Sequence, residues 1–187
     1  MQRKKQDAKD NFAAADLNRS EEAFMGFYQT MKPKLSRYLL VCAREVSLAE
    51  ELFQETFKRF IRKLRRGGDI DNPRKYLFTC ARSVFLDYLR REGRSKQALS
   101  QGREKIFIRP LASGDSQRVS AEESTRLAAG VEALPLAQRE VLVLRIFEDF
   151  SFEDIARHCR EPYNTVVSRY RYAIEKLRRY MESFSNE

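Results

Sequence analysis

From Tyr163 to Tyr172 the chain places Tyr163, Asn164, Thr165, Val167, Ser168, Arg169, Arg171 and Tyr172 around Val166 and Tyr170. If Val166, Tyr170, Ala173, Ile174, Leu177 and Met181 form the inward stripe of one long helix, the first set faces outward near its start. Hydroxyls, an amide and arginines address phosphates and base edges, a helix N-terminus favours a phosphate, and Val167 suits a thymine methyl. Lys176, Arg178 and Arg179 follow on the outer side, where contacts to a nucleic-acid backbone belong. A solvated basic helix resting on its own core would carry the same residues.

A second group runs from Lys75 to Arg91. Leu77, Cys80, Ala81, Val84 and Tyr88 share one helical stripe, which leaves Lys75, Phe78, Thr79, Arg82, Leu86 and Arg90 closer to solvent. Rings interleaved with cations suit an unpaired DNA strand, because bases stack on the rings while Lys and Arg follow the phosphates. Tyr76, Phe78 and Phe85 fit equally well as core residues. In a third group Glu50, Glu51, Gln54 and Glu55 precede Lys58, Arg59, Arg62, Lys63, Arg65 and Arg66. Complementarity to the helix dipole, with pairs such as Glu55 and Arg59, explains that order without a partner. A protein-docking surface explains it as well.

The elements that position these groups all read as helices. Ser20 to Glu45 carries apolar residues at helical spacing, with Pro33 marking a kink or a break. Ser47-Leu-Ala-Glu50 has the form of a capping box, and the helix it opens ends at Gly67-Gly68. Asn72-Pro73 reads as an N-cap with proline at the first helical position, for a helix reaching about Glu92. Ser120-Ala-Glu-Glu123 suggests a further start, and Leu134-Pro135 precedes a helix from Leu136 to about Asp149. Ser151 then caps a short helix, Arg160-Glu161-Pro162 turns, and the long helix described first follows; two helices joined this way form a helix-turn-helix. No segment alternates like a strand. The fold class is therefore all-α: two small helical domains joined by a linker, the C-terminal one a helix-turn-helix. The expected organisation is a flexible tail over 1–19, a helical domain over 20–92, a linker over 93–119 and the second domain over 120–187.

With 187 residues, 42% of them hydrophobic, the chain is long enough to bury a core in each domain. A formal net charge of +9 points first to a polyanion. No apolar run approaches a membrane span and residues 1–10 lack a secretory pattern, so a cytoplasmic protein without membrane insertion is expected. Cys42, Cys80 and Cys159 form no CxxC and read as core thiols, and the sole histidine, His158, is expected to have no neighbouring ligand set. No metal ion or cofactor is expected. Nor is enzymatic activity, since neither a phosphate-cradling glycine loop nor a paired base and nucleophile is apparent.

Glu51-Leu-Phe-Gln-Glu-Thr-Phe57 is similar to the Asp-Leu-Val-Gln-Glu-Thr-Phe signature of the bacterial extracytoplasmic-function sigma factors, in the sigma-70 family. Leu134-Pro135, Arg139-Glu-Val-Leu-Val-Leu144, Phe152-Glu-Asp-Ile-Ala156 and Thr165-Val-Val-Ser-Arg169 resemble that family's C-terminal region, in the right order. The resemblance implies a factor that binds core RNA polymerase, directs it to promoters and assists their opening without covalent chemistry. It implies polymerase docking through Glu51, Gln54 and Glu55. Minus-ten recognition falls to Lys75, Tyr76, Phe78, Arg82, Ser83, Arg90 and Arg91, with Tyr76 replacing the usual tryptophan and Ser83 an asparagine. Minus-thirty-five recognition falls to Tyr163, Asn164, Thr165, Val167, Ser168, Arg169, Arg171 and Tyr172; Asn164 stands where glycine is common, and Val167 where lysine or arginine is. Arg160 takes the place of another glycine, in the turn. The implied partners are core polymerase, promoter DNA and an anti-sigma factor. The competing reading is a stand-alone helix-turn-helix regulator whose first domain dimerises or senses an effector.

Overall fold

The computed structural model describes residues 12–67, 69–92 and 121–183. Among them are eight α-helices: α1 (Ala14–Arg19), α2 (Glu21–Ala43), α3 (Val46–Arg65), α4 (Pro73–Arg91), α5 (Ala121–Glu132), α6 (Leu136–Ile146), α7 (Phe152–Cys159) and α8 (Tyr163–Glu182). They fall into two compact units. One takes the described residues to Leu39 and from Ser47 to Glu92, the other those from Ala121 onward together with Leu40–Val46. The expected linker and the Ser120 cap lie outside the described residues.

In the first unit α2 runs unbroken through Pro33. Its Phe27, Met31, Leu35, Tyr38 and Leu39 are fully buried. Phe27 stacks on Phe60 of α3 at 5.3 Å, and Phe60 lies 6.2 Å from Tyr76 of α4. A line of rings thus ties the three helices together. That line starts earlier than the sequence indicates. Residues 12–19 depart from the expected tail: the Phe12 ring meets Phe27 edge-on at 5.2 Å and Leu17 of α1 is buried. Phe12 and Leu17, the only large apolar residues between 12 and 19, are too few to give a periodicity to read, yet they hold one short helix on the aromatic core.

Several helix ends match their local signals. The Asn72 side chain accepts from the Lys75 backbone N–H at 2.9 Å, with Pro73 at the first helical position. Gly67, at φ 64, closes the end of α3, as a residue without Cβ can do at no steric cost. The start of α3 differs, because Val46 already belongs to the helix and Ser47 sits in its first turn. In the second unit α6 stops at Ile146, before the expected Asp149. The chain there folds back through Asp149 at φ 49, and the Phe150 carbonyl accepts from Arg145 Nη1 at 2.9 Å. No glycine announces that turn.

Candidate functional surfaces

The helix-turn-helix grows from short-range contacts. Ser151 Oγ accepts from the Asp154 N–H at 3.1 Å and starts α7. Arg160 ends it in the left-handed region (φ 54, ψ 48), and the N–H groups of Arg160 and Glu161 bond back to the carbonyls of Arg157 and Ala156. Pro162 then leads into α8, whose Val166, Ala173 and Leu177 are buried. Tyr163, Asn164, Arg171 and Tyr172 are exposed as the periodicity predicts, while Thr165, Val167, Ser168 and Arg169 are half-buried. Arg169 turns back toward the turn: its Nη2 donates to Glu161 Oε1 at 3.0 Å. The Arg171 guanidinium lies 5.4 Å from the Tyr172 ring centroid. Phe152 collects Tyr163 and Tyr170 edge-on and carries the Arg145 guanidinium 4.9 Å above its ring. Glu161 and Arg145 therefore help fix the outer face of α8, a role that their separation in sequence conceals.

On α4 one expectation is corrected. Phe78 is fully buried, its ring edge-on to Tyr38 at 5.3 Å, so it is a core residue and no platform for a base. The helix is covered over a wider arc than a single stripe: Leu77, Phe78, Cys80, Ala81, Val84, Phe85 and Leu89 all point inward, and Tyr88 is only half-buried. Of the other α4 positions, Lys75, Tyr76 and Arg82 are half-buried, and Ser83, Arg90 and Arg91 are exposed. Tyr76 lies against Phe60 on one side, with Cys80 one turn further along α4. Burial pushes its pKa up to about 12, and burial also pushes up the Cys80 thiol. All three cysteines are buried, as their helical positions predict.

On α3, Glu51 and Gln54 are exposed and Glu55 is half-buried, while Leu48, Ala49, Leu52, Phe57, Phe60 and Leu64 face the core. Thr56 joins that core because its hydroxyl is satisfied within the helix, donating to the Leu52 carbonyl at 2.6 Å. The Glu55–Arg59 pair forms at 3.2 Å. Arg59 also reaches across to Asp87 of α4 at 2.7 Å, and Asp87 takes Arg90 at 2.7 Å. The resulting groove places Arg90 and Arg91, expected at DNA, beside Glu51, Gln54 and Glu55. Asp87 escaped the sequence reading, although it is the one acid between Pro73 and Arg91. Two further buried groups are engaged by polar partners. Arg139 donates to the Glu132 carbonyl at 3.2 Å, and desolvation brings its pKa down to about 10. His158 meets Glu140 at 3.3 Å, and their polar atoms lie within 4.8 Å of Cys159 Sγ. The chain's fold assembles that trio, which corrects the expectation of no ligand-type neighbours; the 18-residue gap back to Glu140 hid it.

The family model for Sigma-70 region 2 matches residues 27–95, and that for Sigma-70, region 4 matches residues 124–177. The chain belongs to the extracytoplasmic-function sigma factors of the sigma-70 family. It is 28% identical over 171 residues to the sigma factor RpoE of Cereibacter sphaeroides, covering 88% of this chain and 89% of that one. It is 30% identical over 167 residues to SigC of Mycobacterium tuberculosis, covering 88% and 85%. RpoE of Bartonella quintana, solved with the anti-sigma factor NepR, shares the fold with a TM-score of 0.67 at 24% identity, over 85% of this chain and 96% of that one. As a sigma factor, the protein directs RNA polymerase to promoters. The stand-alone regulator reading falls, because region 2 is matched as well as the helix-turn-helix. No helix among the described residues is long and apolar enough to cross a membrane.

Proposed function

We propose that the division of labour follows the surfaces just described. The α3 edge of Glu51, Gln54 and Glu55 docks on core polymerase. Lys75, Tyr76, Arg82, Ser83, Arg90 and Arg91 of α4 meet the minus-ten element as it opens, and the outer face of α8 reads the minus-thirty-five element. Residues 20–92 and 120–187 act as the two modules, and the chain performs no covalent step itself. One observation carries this reading most directly: a +9 chain keeps an exposed acidic and amide edge on the helix next to its cationic α4. DNA binding alone gives no use for that edge, whereas a protein partner does. An anti-sigma partner, of the kind bound by the Bartonella relative, would compete for the same factor.

The test is transcription with purified components. Protein plus core polymerase should yield run-off transcripts from a promoter that neither yields alone. Gln54→Ala combined with Glu55→Ala should weaken core binding while circular dichroism and melting stay unchanged. Unaltered core affinity in that variant would remove the docking assignment.

A further inference from the structure

Asp87 stands alone among basic residues on its helix, and it is engaged on both oxygens. Oδ2 accepts from Arg59 Nη1 at 2.7 Å and Oδ1 from Arg90 Nη1 at 2.7 Å. Arg59 is shared in turn, since its Nε donates to Glu55 Oε1 at 3.2 Å. The shorter bond goes to Asp87, so the guanidinium leans toward α4 and touches Glu55 by one longer contact.

Helix geometry favours a different arrangement. Glu55 and Arg59 are four residues apart, and an arginine left with only that carboxylate closes on it as a two-pronged fork. A carboxylate so covered has little charge to offer a partner. We propose that Asp87 is a positioning residue for polymerase docking: by drawing Arg59 toward α4, it keeps the Glu55 carboxylate available to a cationic side chain of the polymerase. The proposal rests on the assignment of Glu55 to docking. The groove supports it, because a partner seated against Glu51, Gln54 and Glu55 lies directly beside the Arg59–Asp87 bridge. The bridge dominates both titrations: the hydrogen bond between the two side chains is the largest influence raising Arg59 and lowering Asp87. Side-chain exposures of 29% and 31% leave the bridge less screened than a fully exposed pair.

A double-mutant cycle on the full-length chain, read as affinity for core polymerase, tests this. Asp87→Asn should weaken binding about three- to tenfold, through Arg59 closing on Glu55. Asp87→Glu, which keeps the charge, should bind as wild type does. Arg59→Gln should bind at least as tightly as wild type, and the double variant should match Arg59→Gln. A role confined to folding would instead make Asp87→Asn equally harmful with or without Arg59, and that result overturns the proposal. So does a loss of affinity in Arg59→Gln, a variant that tests the idea without touching Asp87. Glu55→Ala, measured alongside, separates the two readings. If it leaves core affinity unchanged, the docking assignment fails and takes the proposal with it. If Glu55→Ala weakens binding and Asp87→Asn does not, only the positioning role fails.

Discussion

Phe78 and Asp87 show what a single position can hide. Both lie on a helix that sequence spacing identifies, yet that spacing places Phe78 outside and gives Asp87 no distinction. Helical period tells which residues share a face but not how wide the covered arc is. On α4 the buried arc extends past the Leu77 stripe to Phe78 because α2 supplies Tyr38 against that ring. Phe78→Ala should therefore cost about 3–5 kcal/mol of stability, as for other buried phenylalanines. Chemical denaturation of the full chain measures this, and a change near zero would return Phe78 to the surface. For Asp87 the sign follows from its depressed pKa. The hydrogen bond from Arg59 holds the carboxyl below the usual aspartate range. Its stabilising contribution is thus fully present above the unfolded-state value and is lost as pH falls through the folded one. The stability difference between wild type and Asp87→Asn should stay constant around neutral pH and shrink only in acid; a difference that changes between about pH 6 and 8 would contradict the pairing.

At the scale of elements, helix starts and stops were legible wherever one residue type does the work alone. Asn72, Pro73, Gly67 and Ser151 are such residues, and each stands where its chemistry predicts. The ends that misled depend on tertiary support. Asp149 adopts a left-handed conformation because the loop carbonyl at Phe150 is caught by Arg145, and α1 exists because Phe12 and Leu17 find a ready-made apolar surface. Packing between α5 and α8 follows the same logic. A Cβ added at Gly130 would lie 2.8 Å from Tyr180 Cδ1 and 3.1 Å from Leu177 Cδ2. In an open helix Gly→Ala gains about 1 kcal/mol, but here the Tyr180 and Leu177 side chains must shift to make room, at a cost of about 1–3 kcal/mol. Gly130→Ala should accordingly lower the melting temperature, and a rise would show that Tyr180 swings aside freely.

For the molecule as a whole, net charge pointed only to a polyanion, whereas the structure shows how unevenly that charge is spread, with exposed Glu51 and Gln54 on α3 beside exposed Arg90 and Arg91 on α4. Asn164, in the first turn of α8, and Arg171, about two turns further along, are both exposed and should fail differently. Asn164→Ala should cost about 1–3 kcal/mol at one base position of the minus-thirty-five element, if its amide reads a base edge. Arg171→Ala should weaken all sequences alike and reduce the salt dependence of binding by about one counterion, if it holds a phosphate. Holoenzyme binding to promoter variants at several salt concentrations distinguishes these patterns, and identical behaviour of the two variants would mean that the outer face is misassigned. The arginine at the bend of the helix-turn-helix has a further consequence. Arg160 occupies a left-handed backbone conformation that costs a side-chain-bearing residue about 1–2 kcal/mol. Arg160→Gly removes that cost, so the thermal robustness of this unit should rise through a change at one turn position while the exposed side chains of α8 stay as they are.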